Sequence, residues 1–120
     1  MKAYYAHCKV IYRTPQEQRD IATLVALGFD VINPASEEVE AALVGMSSSE
    51  EIMAYFERFA DECDLIAFRA LPGGTIPAGV AKEINWFQER KKPVIELPGF
   101  VRPILDVAET RQYLSEIGER

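Results

Sequence analysis

The spacing of hydrophobic positions changes period along the chain, and the changes predict alternating strands and helices. Lys2 to Ala6 is a short, largely apolar run that predicts a first strand. Thr14, Pro15 and Glu17 then predict a helix start, with Thr14 as cap, Pro15 first in the helix and Glu17 closing a capping box. Ile21, Leu24, Val25 and Leu27 recur at helical spacing, and Gly28 ends that helix. Phe29 to Asn33 predicts a second strand, stopped at Pro34. From Ala35 to Gly45 the pattern weakens: Val39, Leu43 and Val44 lie among Glu37, Glu38 and Glu40, enough for one or two helical turns. Ser47, Ser48 and Ser49 with Glu50 and Glu51 form a capping cluster for a helix that turns Ile52, Met53, Phe56, Phe59 and Ala60 inward. Asp64 opens a third strand through Leu65, Ile66, Ala67 and Phe68. A loop with Pro72, Gly73, Gly74, Pro77 and Gly79 leads into a helix from about Gly79 to Arg90, anchored by Ile84, Trp86 and Phe87. Arg90, Lys91 and Lys92 complement the dipole at its end. Pro93 to Leu97 predicts a fourth strand, and Asp106 with Glu109 caps a last helix through Tyr113, Leu114 and Ile117.

Strands alternating with helices through short links predict a single α/β domain with helices on both faces of a parallel sheet. The expected order is the flavodoxin-like 2-1-3-4, which puts a ligand crevice at the carboxyl ends of strands one and three. Three segments converge there: Tyr4 to His7, Asn33 with Pro34, and Arg69 to Glu83. The loop backbone at Gly73, Gly74, Thr75 and Gly79, leading into a helix N-terminus, suits an anionic group. Arg69 follows the third strand directly, placed either to meet a phosphate or carboxylate or to pair with a nearby acid. His7, the one histidine, is a structural residue or a group that binds an anion or shuttles a proton. Glu83, at the helix start, reads from type alone as an acid favoured by the dipole.

Composition narrows the function. A net charge of −6 over 120 residues argues against a nucleic-acid or membrane-surface binder, both of which want a basic face. Two cysteines without metal-type spacing, no signal-like start and no long apolar run predict a cytoplasmic protein. Cys8 and Cys63 read as buried small hydrophobes. Parallel pairing puts them at opposite strand ends, on the order of 15–20 Å apart, too far for a disulfide.

Several motifs in order resemble the nucleoside 2-deoxyribosyltransferase superfamily, including its relatives that hydrolyse deoxynucleoside monophosphates. They are Tyr4-Tyr5-Ala6 at the end of the first strand, the segment from Gly28 to Pro34, and Cys63 to Ala67 at the third strand. Gly79-Val80-Ala81-Lys82-Glu83-Ile84 matches the nucleophile-bearing helix start, and Lys92 to Ile95 the strand after it. The resemblance spans Lys2 to Leu97 and implies that Glu83 attacks the anomeric carbon of a (deoxy)ribose while Tyr4 orients it. It also implies a nucleoside or nucleotide ligand, no cofactor or metal, and a homodimer or larger assembly. The chain departs from the pattern at two places. Where the superfamily carries a further acid this chain has Phe56, with Glu57 beside it and Asp61 one turn on; where it contacts the sugar's 5′ end, this chain has Pro77.

Three function classes follow: a glycosidase or transferase, a nucleotide-binding module of the same architecture without turnover, and a scaffolding protein. An acid close to Glu83 separates the first two, because hydrolysis needs a proton donor or a positioned water. Tyr5 should face away from Tyr4, since successive strand residues alternate. Trp86 with Phe87, and Tyr55 with Phe56 and Phe59, suggest apolar faces wide enough to meet a second copy.

Overall fold

The computed structural model describes residues 1–98 and 104–118. Strands β1 (Lys2–Ala6), β2 (Asp30–Ile32), β3 (Leu65–Arg69) and β4 (Val94–Leu97) form one sheet in the order β2-β1-β3-β4. All its pairings are parallel, with Tyr4 beside both Ile32 and Ile66, and Ile66 beside Val94. The flavodoxin-like order and its crevice between β1 and β3 are as the alternation predicts.

Helices α1 (Pro15–Ala26), α2 (Glu37–Leu43), α3 (Ser49–Glu62), α4 (Ala78–Glu89) and α5 (Val107–Glu116) connect or follow the strands. Alternation along the central strand splits the core in two. Ala3 and Tyr5 pack with Leu24 of α1, whereas Tyr4 and Ala6 pack with Val39, Phe59, Val80 and Phe87 of the other helices. Tyr4 and Tyr5 therefore serve opposite faces. No residue of α5 is buried, although Asp106 and Glu109 make the expected reciprocal capping box. Tyr113 and Ile117, two of the apolar residues the pattern places along it, are largely exposed.

Local chemistry moves several boundaries. Ser36 accepts a hydrogen bond from the Val39 N–H at 3.3 Å, which makes the weakly patterned segment a true helix, α2. Ser48, out of the serine cluster, caps α3 by accepting from the Glu51 N–H at 3.1 Å. Thr14 caps α1 as expected, but Glu17 closes no capping box. Its carboxylate turns instead to His7 Nε2, 2.7 Å away. Helix α4 begins at Ala78 behind Pro77, so Glu83 is its sixth residue and lies in the second turn. Dipole stabilisation falls off within the first turn, so an ordinary helix-start acid does not account for it.

Cationic groups after α4 also divide their work differently. Arg90 donates to the Trp86 carbonyl at 2.9 Å, while Lys92 Nζ reaches back to α3 and donates to the carbonyls of Ala60, Asp61 and Cys63 at 2.6, 2.9 and 2.8 Å. Cys63 is buried, and burial pushes its thiol up to about 11. Cys8 is only partly buried, contrary to the expectation, because it follows β1 at the crevice; both thiols are free. Trp86, Phe87 and Phe59 are buried in one cluster with Tyr55 and Phe56 against it, so these aromatics leave no second apolar face. No described helix is long and apolar enough to cross a membrane.

Candidate active site

A cavity of about 780 Å³ opens at the carboxyl end of the sheet, within the range of small-molecule sites. Tyr4 and Glu83 both line it. Tyr4 projects from the central strand between the rings of Phe59 and Phe87, at centroid distances of 5.4 and 6.1 Å. Glu83 comes from α4, on the same helical face as Val80, Ile84 and Phe87, three residues that belong to the core. The Tyr4 hydroxyl donates a hydrogen bond to Glu83 Oε2.

Burial in this apolar wall pushes the Glu83 carboxyl up to about 7, against a lowering by the Tyr4 hydrogen bond. Tyr4 is itself held well above the ordinary phenol value by burial and by the Glu83 charge, so it remains a donor. At neutral pH Glu83 is thus balanced between acid and carboxylate, with one oxygen fixed by Tyr4. A carboxylate tuned this way can attack an electron-poor carbon or move a proton.

Other acids stand elsewhere. Glu57 and Asp61 do not line the cavity: they hold Arg90, at 3.0 Å to Nη2 and 2.7 Å to Nε. The second carboxylate on the cavity wall is Glu40 of α2, paired with Arg13. Lys9 and Lys82 also line the cavity and, with Arg13, give it three cations in an acidic chain.

The remaining expected ligand contacts separate. Gly79 is on the cavity wall and His7 borders it. His7 is enclosed, however, stacked on Tyr5 at 3.8 Å, with Nδ1 3.0 Å from the Tyr5 carbonyl and Nε2 against Glu17. A carbonyl can only accept, so Nδ1 carries a proton. Arg69, Asn33, Gly73, Gly74 and Thr75 are not on the wall. Arg69 belongs to the opposite face, where its Nε donates to Asp20 at 3.0 Å and the Tyr5 hydroxyl donates to the same carboxylate at 2.6 Å. Burial would raise Asp20, but the bonds from Arg69, Tyr5 and Gln16 outweigh it and hold the carboxyl below its ordinary value. Asn33 Oδ1 is taken by the Ala35 N–H at 2.9 Å. Gly73 and Gly74, at φ of +93° and +88°, form a closed turn in which the Leu71 N–H donates to Thr75 O at 2.9 Å.

Sequence reasoning missed Tyr12, Arg13 and Glu40 as wall residues. Tyr12 and Arg13 had one available signal, their place in the loop that leaves the central strand on the crevice side.

The fold and site define a doubly wound α/β protein with a tuned carboxylate at its switch point. Among solved structures the chain is similar to Clostridium botulinum CMP N-glycosidase, BcmB, at 18% identity and a TM-score of 0.48, over 98% of each chain. No model of a known protein family matches the chain, and no curated protein matches it in sequence.

Proposed function

We propose that this protein cleaves the N-glycosidic bond of a nucleoside or nucleotide, with Glu83 as nucleophile and Tyr4 orienting it. The observation that carries the reading is the Tyr4–Glu83 pair on the cavity wall, the two residues that the superfamily resemblance makes catalytic. In this reaction a Glu83 oxygen bonds to the anomeric carbon as the C1′–N bond breaks and its electron pair leaves with the base. Water then opens the glycosyl ester and restores the carboxylate, or a second base takes the sugar in transfer. Lys9, Arg13 and Lys82 are donors suited to a phosphate on the ligand.

Binding without turnover is a second reading. The specific observation in its favour is that Glu57 and Asp61 are engaged with Arg90, away from the cavity. One experiment separates the two. The protein is incubated with a panel of nucleosides and nucleoside monophosphates, and free base is read by chromatography. We expect base release from at least one substrate, reduced to background by Glu83→Gln while ligand binding persists. Release unchanged in Glu83→Gln, or none from any substrate, sinks the enzyme reading.

The same reading carries a homodimer or larger assembly in the cytoplasm. Free thiols suit a reducing compartment, and the exposed Val107 and Tyr113 of α5, with Ile117 just after it, offer apolar surface to a second copy. Sedimentation at micromolar concentration should give at least twice the 13.5 kDa chain mass; a monomer there rejects the assembly.

A further inference from the structure

Among the hydroxyls around the cavity, Tyr12 has a distinct position. Tyr4 and Tyr5 are committed to Glu83 and Asp20 respectively. Tyr12 lines the cavity and, among the described residues, its hydroxyl has no protein partner. No buried side-chain polar atom among those residues is left unsatisfied, so this unpartnered hydroxyl is reached by solvent.

The ring is held by what packs against it. The Tyr12 ring packs on His7 at 4.8 Å with a 51° tilt, and His7 lies flat on Tyr5 at 3.8 Å. His7 cannot swing away, since both its nitrogens are engaged, by the Tyr5 carbonyl and by Glu17. The backbone is pinned too: the Tyr12 N–H donates to Lys9 O at 3.1 Å, and the Thr14 hydroxyl to Ile11 O at 2.5 Å. Arg13 next to it is held at φ +58°, a left-handed conformation that non-glycine residues adopt at a cost. Buried histidine and pinned loop thus hold an unpaired phenol on the same cavity wall as Glu83, whose charge acts on it.

We propose that Tyr12 is a catalytic residue whose O–H donates a hydrogen bond to the departing nucleobase, at the acceptor atom where negative charge collects. The inference rests on the glycosidic reading above. As the C1′–N bond breaks, the electron pair passes to the base ring, and the Tyr12 hydroxyl stabilises that charge without giving up its proton. The base then takes a proton from water, and the hydroxide formed opens the Glu83 ester to release the sugar. Burial, then the charges of Glu83, Glu17 and Glu40, push the phenol up to about 12, so it stays protonated throughout. The other donors fit the role less well. Glu40 pairs with Arg13, Glu57 and Asp61 are outside the cavity, and Lys9 and Lys82 are exposed side chains.

The test is Tyr12→Phe, which keeps the ring on His7 and removes the donor. Turnover is compared on two substrates that differ only in leaving-group acidity: uracil against 5-fluorouracil, or adenine against 2-fluoroadenine, whichever base the wild type releases. One preorganised donor to a developing anion is worth about 10²-fold in kcat. We expect about that loss on the ordinary base and a clearly smaller one on the fluorinated base, which needs less help to depart. A loss of equal size on both substrates means Tyr12 only shapes the site, and turnover within about threefold of wild type on both means it does nothing; either overturns this inference alone. No base release by the wild type from any substrate overturns the glycosidic reading with it.

Discussion

Glu83 is unusual because of its company. Val80, Ile84 and Phe87 make a continuous apolar stripe on α4, and a carboxylate set inside such a stripe loses hydration without gaining a cation. That is why its carboxyl titrates near neutrality, and why its ionised form becomes available only as pH rises through about 7. A glycosidase built on it should show kcat/KM rising with pH and levelling above that value. Tyr4 opposes the shift by bonding the charged form. Tyr4→Phe should therefore move the midpoint of the rise to higher pH and lower the plateau. A midpoint that stays put, or moves down, would mean that another group sets the profile.

At the scale of elements, the ends of helices do more than the pattern suggests. Lys92 sits before β4 yet closes the carboxyl end of α3, giving three carbonyls a charged donor that they would otherwise find only in water. Hydrogen bonds to a charged group are worth about 1.5–3 kcal/mol each when removed, though bonds sharing one donor do not add. Lys92→Met should lower the urea midpoint by the equivalent of about 2 kcal/mol with m unchanged, while Lys91→Met, on an exposed side chain, should stay within about 0.5 kcal/mol. Equal effects would reduce the Lys92 cap to one more surface charge. These helix ends also show what was legible in the chain. Period and turn chemistry carried the strand order and the cap of α1 by Thr14, whereas the pairing of Tyr4 with Glu83 was legible only through the superfamily resemblance. Side chains that choose between a local and a distant partner were not legible. Glu17 had the spacing of a capping box but bonds a buried histidine, and Arg69, placed for either a ligand anion or a nearby acid, bonds Asp20. For both, the partner comes from a distant part of the chain, and one chain gives no signal of which partner folding brings near.

Across the whole molecule, the two faces of the sheet respond to pH with opposite signs. On the α1 face Asp20 is held below its ordinary value, so it stabilises the fold above pH 4 and that contribution is lost as pH falls through the native titration. On the α4 face Glu83 is raised from 4.5 to about 7. The native state then binds more protons than the unfolded chain between those values, so stability falls as pH rises across the window. The shift corresponds to no more than about 3 kcal/mol, fully present below pH 4.5 and gone above pH 7. General repulsion in a chain of charge −6 acts in the same direction, so a variant must separate the two. Glu83→Gln cannot ionise and keeps an acceptor oxygen for the Tyr4 hydroxyl. Its unfolding free energy relative to wild type should climb by about 2–3 kcal/mol between pH 4 and pH 8, making the variant the more stable protein at pH 8. A difference between the two proteins that does not change across that range would mean that Glu83 ionises in the native state as freely as in the unfolded chain. The carboxylate would then cost nothing to keep, and its place in the apolar stripe would need a different account.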